Sequence, residues 1–256
     1  MEIPFFKYHG TGNDFIMLDN RGGHFRLSAD QIVRLCRRNF GIGSDGLILI
    51  EQDAAEDFYM NFYNPDASQS FCGNGSRCAV AFARALGMVT NHGMFRAIDG
   101  VHAFVVNGEE IAIQMRDVAP VSWEENQCLV QTGSPHFIVE HPNPYELDIV
   151  REGRAIRYGE RFRQEGVNVN FVRFEGEELW MRTYERGVEA ETLSCGTGVT
   201  AAALSLASKN TSATRVSVHT RGGDLTVKFE RMPDGSFTDV WLCGPAEQVF
   251  KGTMDV

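Results

Sequence analysis

Long apolar runs are missing from this sequence: nowhere in its 256 residues is there an uncharged stretch of the ~18 needed to span a bilayer. The opening residues, MEIPFFKYHG, also lack the basic-then-apolar order of a secretory signal, so a cytoplasmic protein with no membrane partner is expected. Basic charge is in short supply. With 24 Lys and Arg against 34 Asp and Glu, the formal charge of −10 argues against a nucleic-acid partner, because phosphate contacts need a basic face. Cysteine is sparse, with six residues (Cys36, Cys72, Cys78, Cys128, Cys195 and Cys243), too few for a disulfide scaffold at this length. The nearest pair, Cys72 and Cys78, lacks the C-x2-C spacing of zinc sites, so no metal is expected. There is no G-x-x-x-x-G-K-[ST] phosphate loop and no strand-borne G-x-G-x-x-G opening a helix. GIGSDG (41–46) resembles a phosphate turn but leads into LILIE, a strand, so no nucleotide or other cofactor is expected.

What remains is an ordinary globular composition, 43% apolar and 23% charged, long enough to bury a full core in one large domain or two smaller ones. Two stretches answer each other about half a chain length apart: FCGNGSRCAVAF (71–82) and SCGTGVTAAAL (194–204). TGNDFIML (11–18) answers TGSPHFIV (132–139) at nearly the same offset, and an alternating strand ending in Tyr precedes each cysteine, at 57–63 and 178–184. More strands follow each one, the first pair joined at Asn107-Gly108 and the second at Pro233-Asp234-Gly235. Recurrence in one order indicates internal duplication. The expected fold is α+β: two similar halves related by a pseudo-twofold, each a sheet wrapped around a central helix. The halves are placed at 1–117, carrying Cys72, and 118–256, carrying Cys195, with polar 116–127 as the linker. The central helices are expected over about 75–86, stopped by Gly87, and about 198–208, with Asn210 beyond the end. A further helix is expected after Ser28, whose capping box with Gln31 opens it and Gly41 closes it, with Cys36 in the core.

Both Cys72 and Cys195 fall at the mouth of a central helix. Unpartnered backbone N–H groups and the partial positive charge there lower a thiol pKa and bind carboxylates. The flanking glycines, Gly73 and Gly75, Gly196 and Gly198, let backbone donors approach a ligand closely. A single C-G-x-G reads equally well as a tight strand-to-helix turn with a small residue in it, whereas two copies in matching positions favour chemistry. Two thiols on opposite sides of one carbon suit inversion of a C–H centre: one removes the proton and the other delivers one to the opposite face.

These residues resemble the diaminopimelate epimerase family along nearly the whole chain. HGTGNDF, GIGSDG, FYNPDASQSFCGNGSRC, GSPHF, EGVNVNF, YERGVEAETLSCGTG and CGPAEQVFKG occur in that family's order and spacing. C-G-T-G alone is shared with proline-racemase-like relatives, while H-G-x-G-N-D-F, C-G-N-G-x-R-C and E-R-G together are specific. The resemblance implies cofactor-independent interconversion of LL- and meso-diaminopimelate, on the bacterial route to lysine and cell wall, with Cys72 and Cys195 as the catalytic acid and base. It implies substrate contacts from Asn13, Asn64, Gly73, Asn74, Asn168, Glu185, Arg186, Gly196 and Thr197, with His136 and Glu185 tuning the thiols. It also implies a site between the halves that closes on substrate, a final strand near 246–256 that returns to the first half, and a homodimer.

Several residues keep an alternative. Asn13, after Gly12, can serve a turn, His136 a capped loop, and Arg77 and Cys78 the core. Glu185 and Arg186 can serve one site only if their strand has ended, since alternation otherwise sends them to opposite faces. Two positions depart from the family: Ser134 stands where asparagine is common, and Gly46 where some members carry a substrate-contacting glutamine. A proline or hydroxyproline racemase is the nearest rival function, and a non-catalytic amino-acid-binding or thiol-redox protein the rival of another class.

Overall fold

The computed structural model describes residues 2–209 and 212–255, which form two compact units, Met1–Ile113 with Gly244–Val256, and Gln114–Cys243. Asn210, the expected end of the second central helix, lies outside the described residues.

The first unit runs β1 (Glu2–Gly10), β2 (Asn13–Asp19), α1 (Ala29–Cys36), β3 (Gly46–Glu51), β4 (Phe58–Tyr63), α2 (Gly73–Ala85), β5 (His92–Ala97), β6 (Gly100–Asn107) and β7 (Glu110–Gln114, whose last residue is counted with the second unit). Antiparallel β1–β2 is followed by parallel β2–β3, antiparallel β3–β4, parallel β4–β5, then antiparallel β5–β6 and β6–β7. The second unit runs β8 (Trp123–Glu124), β9 (Gln127–Gln131), β10 (Pro135–Glu140), α3 (Ile149–Arg157), β11 (Asn168–Glu175), β12 (Glu178–Glu185), β13 (Ala190–Thr192), α4 (Gly196–Lys209), β14 (Arg215–Thr220), β15 (Gly223–Arg231) and β16 (Phe237–Gly244, its last residue counted with the first unit). From β9 onward its pairings repeat the series: antiparallel, parallel, antiparallel, parallel from β12 to β14, then antiparallel twice. The duplication read from the sequence is thus a duplication of topology. β17 (Glu247–Asp255) pairs antiparallel with β1, so the end of the chain completes the first unit's sheet.

Each unit buries one helix and covers its sheet with another. In α2 every residue from Gly73 to Val80 is buried, and in α4 every residue from Gly198 to Ala207. Such helices need small residues on all sides, which the runs CAVAFARA and TAAALSLA provide. α1 and α3 are instead amphipathic. Ile32, Leu35 and Cys36 of α1 pack with Ile3, Phe5, Ile16, Leu18, Leu47 and Leu49 of the strands. Ile149 of α3 joins Phe137, Val169, Phe171 and Tyr184. Gly153 lets α3 come close, since a Cβ there would stand 2.4 Å from Tyr184 Cβ.

Local expectations are refined in four places. The capping box of Ser28 and Gln31 is formed, but α1 ends at Cys36, ahead of Gly41, because Arg37 turns extended (ψ 114°) and the chain folds back so that Gly43 N–H bonds Leu35 O and Ser44 N–H bonds Cys36 O. Both central helices begin two residues earlier than expected, at Gly73 and Gly196, with the cysteine immediately outside. The β6–β7 hairpin turns on Gly108-Glu109, since Asn107 pairs with Glu110, and only Gly108 has positive φ. Stretch 116–127, expected as a linker, carries a bridge from Val118 to Phe237 and the β8 hairpin within the second unit.

Candidate active site

Both cysteines reach the same place in their units for the same topological reason. In the first unit β2 and β3 start, and β4 ends, at the edge of the sheet where α2 begins; in the second, β10, β11, β12 and α4 do likewise. Asn13 opens β2, Asn168 opens β11 and Glu185 closes β12. Candidates scattered in sequence are thereby gathered at each helix mouth.

In the first unit Cys72 is the N-cap of α2, and its Sγ accepts from Gly75 N–H at 3.4 Å. The Cys72 thiol reaches Asn13 Oδ1 at 3.8 Å, and Asn74 Nδ2 donates to the same oxygen at 3.2 Å. The orientation of Asn13 follows from its other end: its Nδ2 donates to Asp45 Oδ2 at 2.9 Å, and a carboxylate only accepts. Asp45 is held by Arg38 at 2.8 Å, and Arg38 also grips Asp14 at 2.6 Å, while the buried Lys7 pairs with Asp14 at 2.6 Å. Burial works to raise the Asp14 carboxyl, and the hydrogen bonds from Arg38 and Lys7 outweigh it, leaving it below its ordinary value. Sequence reasoning missed this ionic cluster; its signal was the D-G of GIGSDG.

The turn before Asn13 is made by its neighbours. Thr11 and Gly12 take positive φ of 51° and 80°, and Asn13 does not. For a β-branched residue this is a costly conformation, on the order of 1–3 kcal/mol. Arg77, fully buried in α2, steadies it by donating to Thr11 Oγ1 at 3.3 Å and to Pro245 O at 3.2 Å. Cys78 is likewise fully buried, and burial pushes its thiol strongly upward, so the second cysteine of C-G-N-G-x-R-C packs rather than reacts. Asn64 organises the loop into α2, its Nδ2 donating to Ser68 Oγ at 3.0 Å and Ser70 Oγ at 3.2 Å. Gly46 has no room for glutamine: a Cβ would meet Phe62 Cε2 at 2.4 Å and Tyr63 O at 2.9 Å.

In the second unit Cys195 precedes α4 and its Sγ lies 3.5 Å from Thr197 Oγ1. That hydroxyl is 2.9 Å from His136 Nε2 and 3.3 Å from Ser134 Oγ. Ser134 Oγ in turn lies 3.0 Å from His136 Nε2 and accepts from Asn168 Nδ2 at 3.3 Å. Ser134 is therefore the hub joining His136, Asn168 and Thr197. His136 has no exposed surface; burial, then the Arg186 charge, lower its pKa to about 3, so the imidazole is neutral. Behind it Asn170 Nδ2 lies 3.2 Å from His136 Nδ1, and Thr183 Oγ1 donates to Asn170 Oδ1 at 2.9 Å. Neither Asn170 nor Thr183 was singled out from sequence. Asn168 and Asn170 share a strand face at i and i+2, and asparagine is depleted in strands, which was the available signal.

Glu185 and Arg186 meet the condition set for them, because β12 ends at Glu185. Glu185 Oε2 accepts from Thr192 Oγ1 at 2.9 Å. The exposed Arg186 donates its backbone N–H to Asn168 Oδ1 and its Nη1 to Glu165 O, both at 2.9 Å. Beyond the cysteines, α2 and α4 present first-turn N–H groups that no helical carbonyl can reach, from Gly73 and Gly196 onward. Each mouth thus sets a thiol beside the positive end of a helix. Among the described residues no cluster of three or more His, Cys, Asp or Glu is arranged to hold a metal ion, and no helix is long and apolar enough to cross a membrane.

The family model described as diaminopimelate epimerase matches residues 5–120 and 128–238. The diaminopimelate epimerase of Flavobacterium psychrophilum is 46% identical, over 98% of this chain and all of the relative. That of Chlorobaculum tepidum is 41% identical, over 96% of this chain and 98% of the relative. Among solved structures, a PhzF-family phenazine biosynthesis protein of Bacillus anthracis superposes with a TM-score of 0.74 at 13% identity over the full length of both chains. A hydroxyproline epimerase from Agrobacterium vitis gives 0.72 at 15% identity, covering 99% of this chain and 92% of the other. At such identities the likeness is one of fold.

Proposed function

Because the chain belongs to the diaminopimelate epimerase family, we propose that it interconverts LL- and meso-diaminopimelate without a cofactor, with Cys72 and Cys195 as the two proton-transfer groups. The observation that carries this reading is the matched placement of the two sulfurs: each stands at the mouth of a buried central helix, at the equivalent point of a duplicated topology.

In the proposed reaction one cysteine, as thiolate, takes the α-proton from one face of the substrate carbon. The other, as thiol, returns a proton to the opposite face, and the pair exchanges roles in the reverse direction. The α-proton is weakly acidic, so the step depends on stabilising the charge that moves onto the α-carboxylate. The N–H groups at Gly73, Asn74, Gly196 and Thr197 are the proposed donors, acting as a preorganised anion hole. Asn13, Asn64, Asn168, Glu185 and Arg186 are the proposed contacts to the remaining ammonium and carboxylate groups, and Arg186 is suited to pair bidentately with a carboxylate. His136 is proposed to act on the thiols as a neutral hydrogen-bond donor or acceptor, because its low pKa leaves it no positive charge to lend. Closing of the site around substrate would exclude water from the carbanionic stage. We further propose a cytoplasmic homodimer serving lysine and cell-wall precursor synthesis, as in the family.

The test is solvent deuterium entering the α-position of LL-diaminopimelate with wild type, Cys72→Ala and Cys195→Ala. Loss of epimerisation in both folded variants is expected, and full turnover by either overturns the two-thiol reading. Exchange into proline with none into diaminopimelate would assign the chain to the rival racemase chemistry.

A further inference from the structure

Resting on the reading of Cys195 as a proton-transfer group, we infer that Asn170 and Thr183 are positioning residues that fix His136 as its Nε2–H tautomer and so direct the Thr197 hydroxyl hydrogen onto Cys195 Sγ. The chain of bonds starts at the Asn170 amide, whose Oδ1 faces Thr183 and whose Nδ2 faces His136. In that orientation Thr183 Oγ1 donates to Asn170 Oδ1 at 2.9 Å and Nδ2 points at His136. An amide nitrogen only donates, so His136 Nδ1, 3.2 Å away, must accept and carry no hydrogen. The imidazole proton is then on Nε2, aimed at Thr197 Oγ1 at 2.9 Å. Ser134, accepting from Asn168 Nδ2, also has its own hydrogen to give to Thr197 Oγ1 at 3.3 Å. With its lone pairs engaged from that side, the Thr197 hydroxyl points its hydrogen at the sulfur 3.5 Å away. A hydrogen bond of that polarity favours the thiolate form of Cys195.

The charged groups around this chain of bonds are Arg186, whose field reaches His136, and Glu185, which is held by Thr192. Neither sets the tautomer, because neither bonds the ring. The remaining neighbour is Gly198, where a Cβ would stand 2.7 Å from Asn170 Oδ1 and 3.3 Å from His136 Nδ1. The absence of a side chain there is what lets strand and helix approach closely enough for the amide to meet the ring.

Asn170→Asp keeps the shape and inverts the polarity, since a carboxylate accepts from an Nδ1–H. The experiment records the imidazole 15N spectrum of His136 and the rate at which iodoacetamide alkylates Cys195 in the Cys72→Ala protein at pH 8, located by peptide mass spectrometry. In the unaltered background the inference requires a neutral ring with its proton on Nε2. In Asn170→Asp it requires a proton on Nδ1, alkylation slowed at least about 10-fold, and, with Cys72 restored, kcat lowered by at least about 10-fold with KM little changed. Thr183→Ser, which keeps the donor, should retain the parental tautomer and rates within about twofold. A parental ring protonated on Nδ1 overturns the inference even if no variant folds. So does an Asn170→Asp protein whose Cys195 reacts at the parental rate. These readouts need no turnover, so they stand apart from the Cys195→Ala assay that judges the two-thiol reading itself.

Discussion

His136 gives a stability prediction whose sign and size follow from its lowered pKa. Its folded pKa of about 3, set by burial and then by Arg186, lies below the ordinary value of 6.5. Below pH 6.5 the unfolded chain takes up a proton at this residue that the folded chain refuses, so stability is complete above 6.5 and is lost as pH falls from there towards 3. At pH 5.5, one unit inside that window, the loss relative to pH 7.5 is about 1.4 kcal/mol from this residue. Carboxylates with depressed values, such as Asp14, Asp19 and Glu191, add acid sensitivity only around and below their ordinary range near 4, so they leave the interval from 7.5 to 5.5 largely to histidine chemistry. The assay is urea denaturation at pH 7.5 and 5.5 for wild type and His136→Gln, whose amide can still bond Thr197. Wild type should lose about 1.4 kcal/mol more than the variant across that interval. Equal losses, or an NMR titration of His136 with a midpoint near 6, would refute the argument that the ring is buried neutral.

Further outcomes are open to direct measurement. Gly198→Ala should destabilise by about 1–3 kcal/mol and reduce turnover, because its Cβ meets Asn170 Oδ1 at 2.7 Å; thermal denaturation and the exchange assay read both. Gly46→Gln should lower stability by a similar ~1–3 kcal/mol rather than improve KM, since Phe62 and the Tyr63 carbonyl occupy the path of the side chain. Ser28→Ala should cost about 1 kcal/mol in denaturation through loss of the capping box while leaving kcat unchanged, α1 being remote in role from the chemistry.

The duplication was legible because it is written in local chemistry: C-G-x-G before a small-residue helix, and alternating strands before and after. The same repeat placed Cys72 and Cys195 at helix mouths, where they stand, and put the helix starts two residues late because glycine, poor inside a helix, is freely accepted in a first turn. What stayed hidden was pairing between strands. His136 faces Asn168 across parallel β10 and β11, and Asn170 faces Thr183 across antiparallel β11 and β12, so the bonds that orient the histidine depend on register, which no single segment specifies. Thr11 was hidden for a different reason. A threonine at φ 51° contradicts its own preference and is held by Arg77 and its own turn, a tertiary override that local reasoning assigns to glycine or asparagine.

The pairing of β17 with β1 makes the first unit depend on residues that are synthesised only after the whole second unit. When Ile113 has emerged, β1 is already present with Phe5 and Phe6, but its outer hydrogen-bonding edge waits for Glu247–Asp255. Roughly 130 residues of the second unit are translated in between, about 10 s at ordinary elongation rates. A nascent chain therefore carries an open, aromatic-lined strand edge through that delay, the kind of surface that invites intermolecular β-pairing. Strand β17 is thus the latch whose late arrival ends that exposure, and a stop codon placed before it would leave the earliest-made part of the molecule the most prone to aggregate.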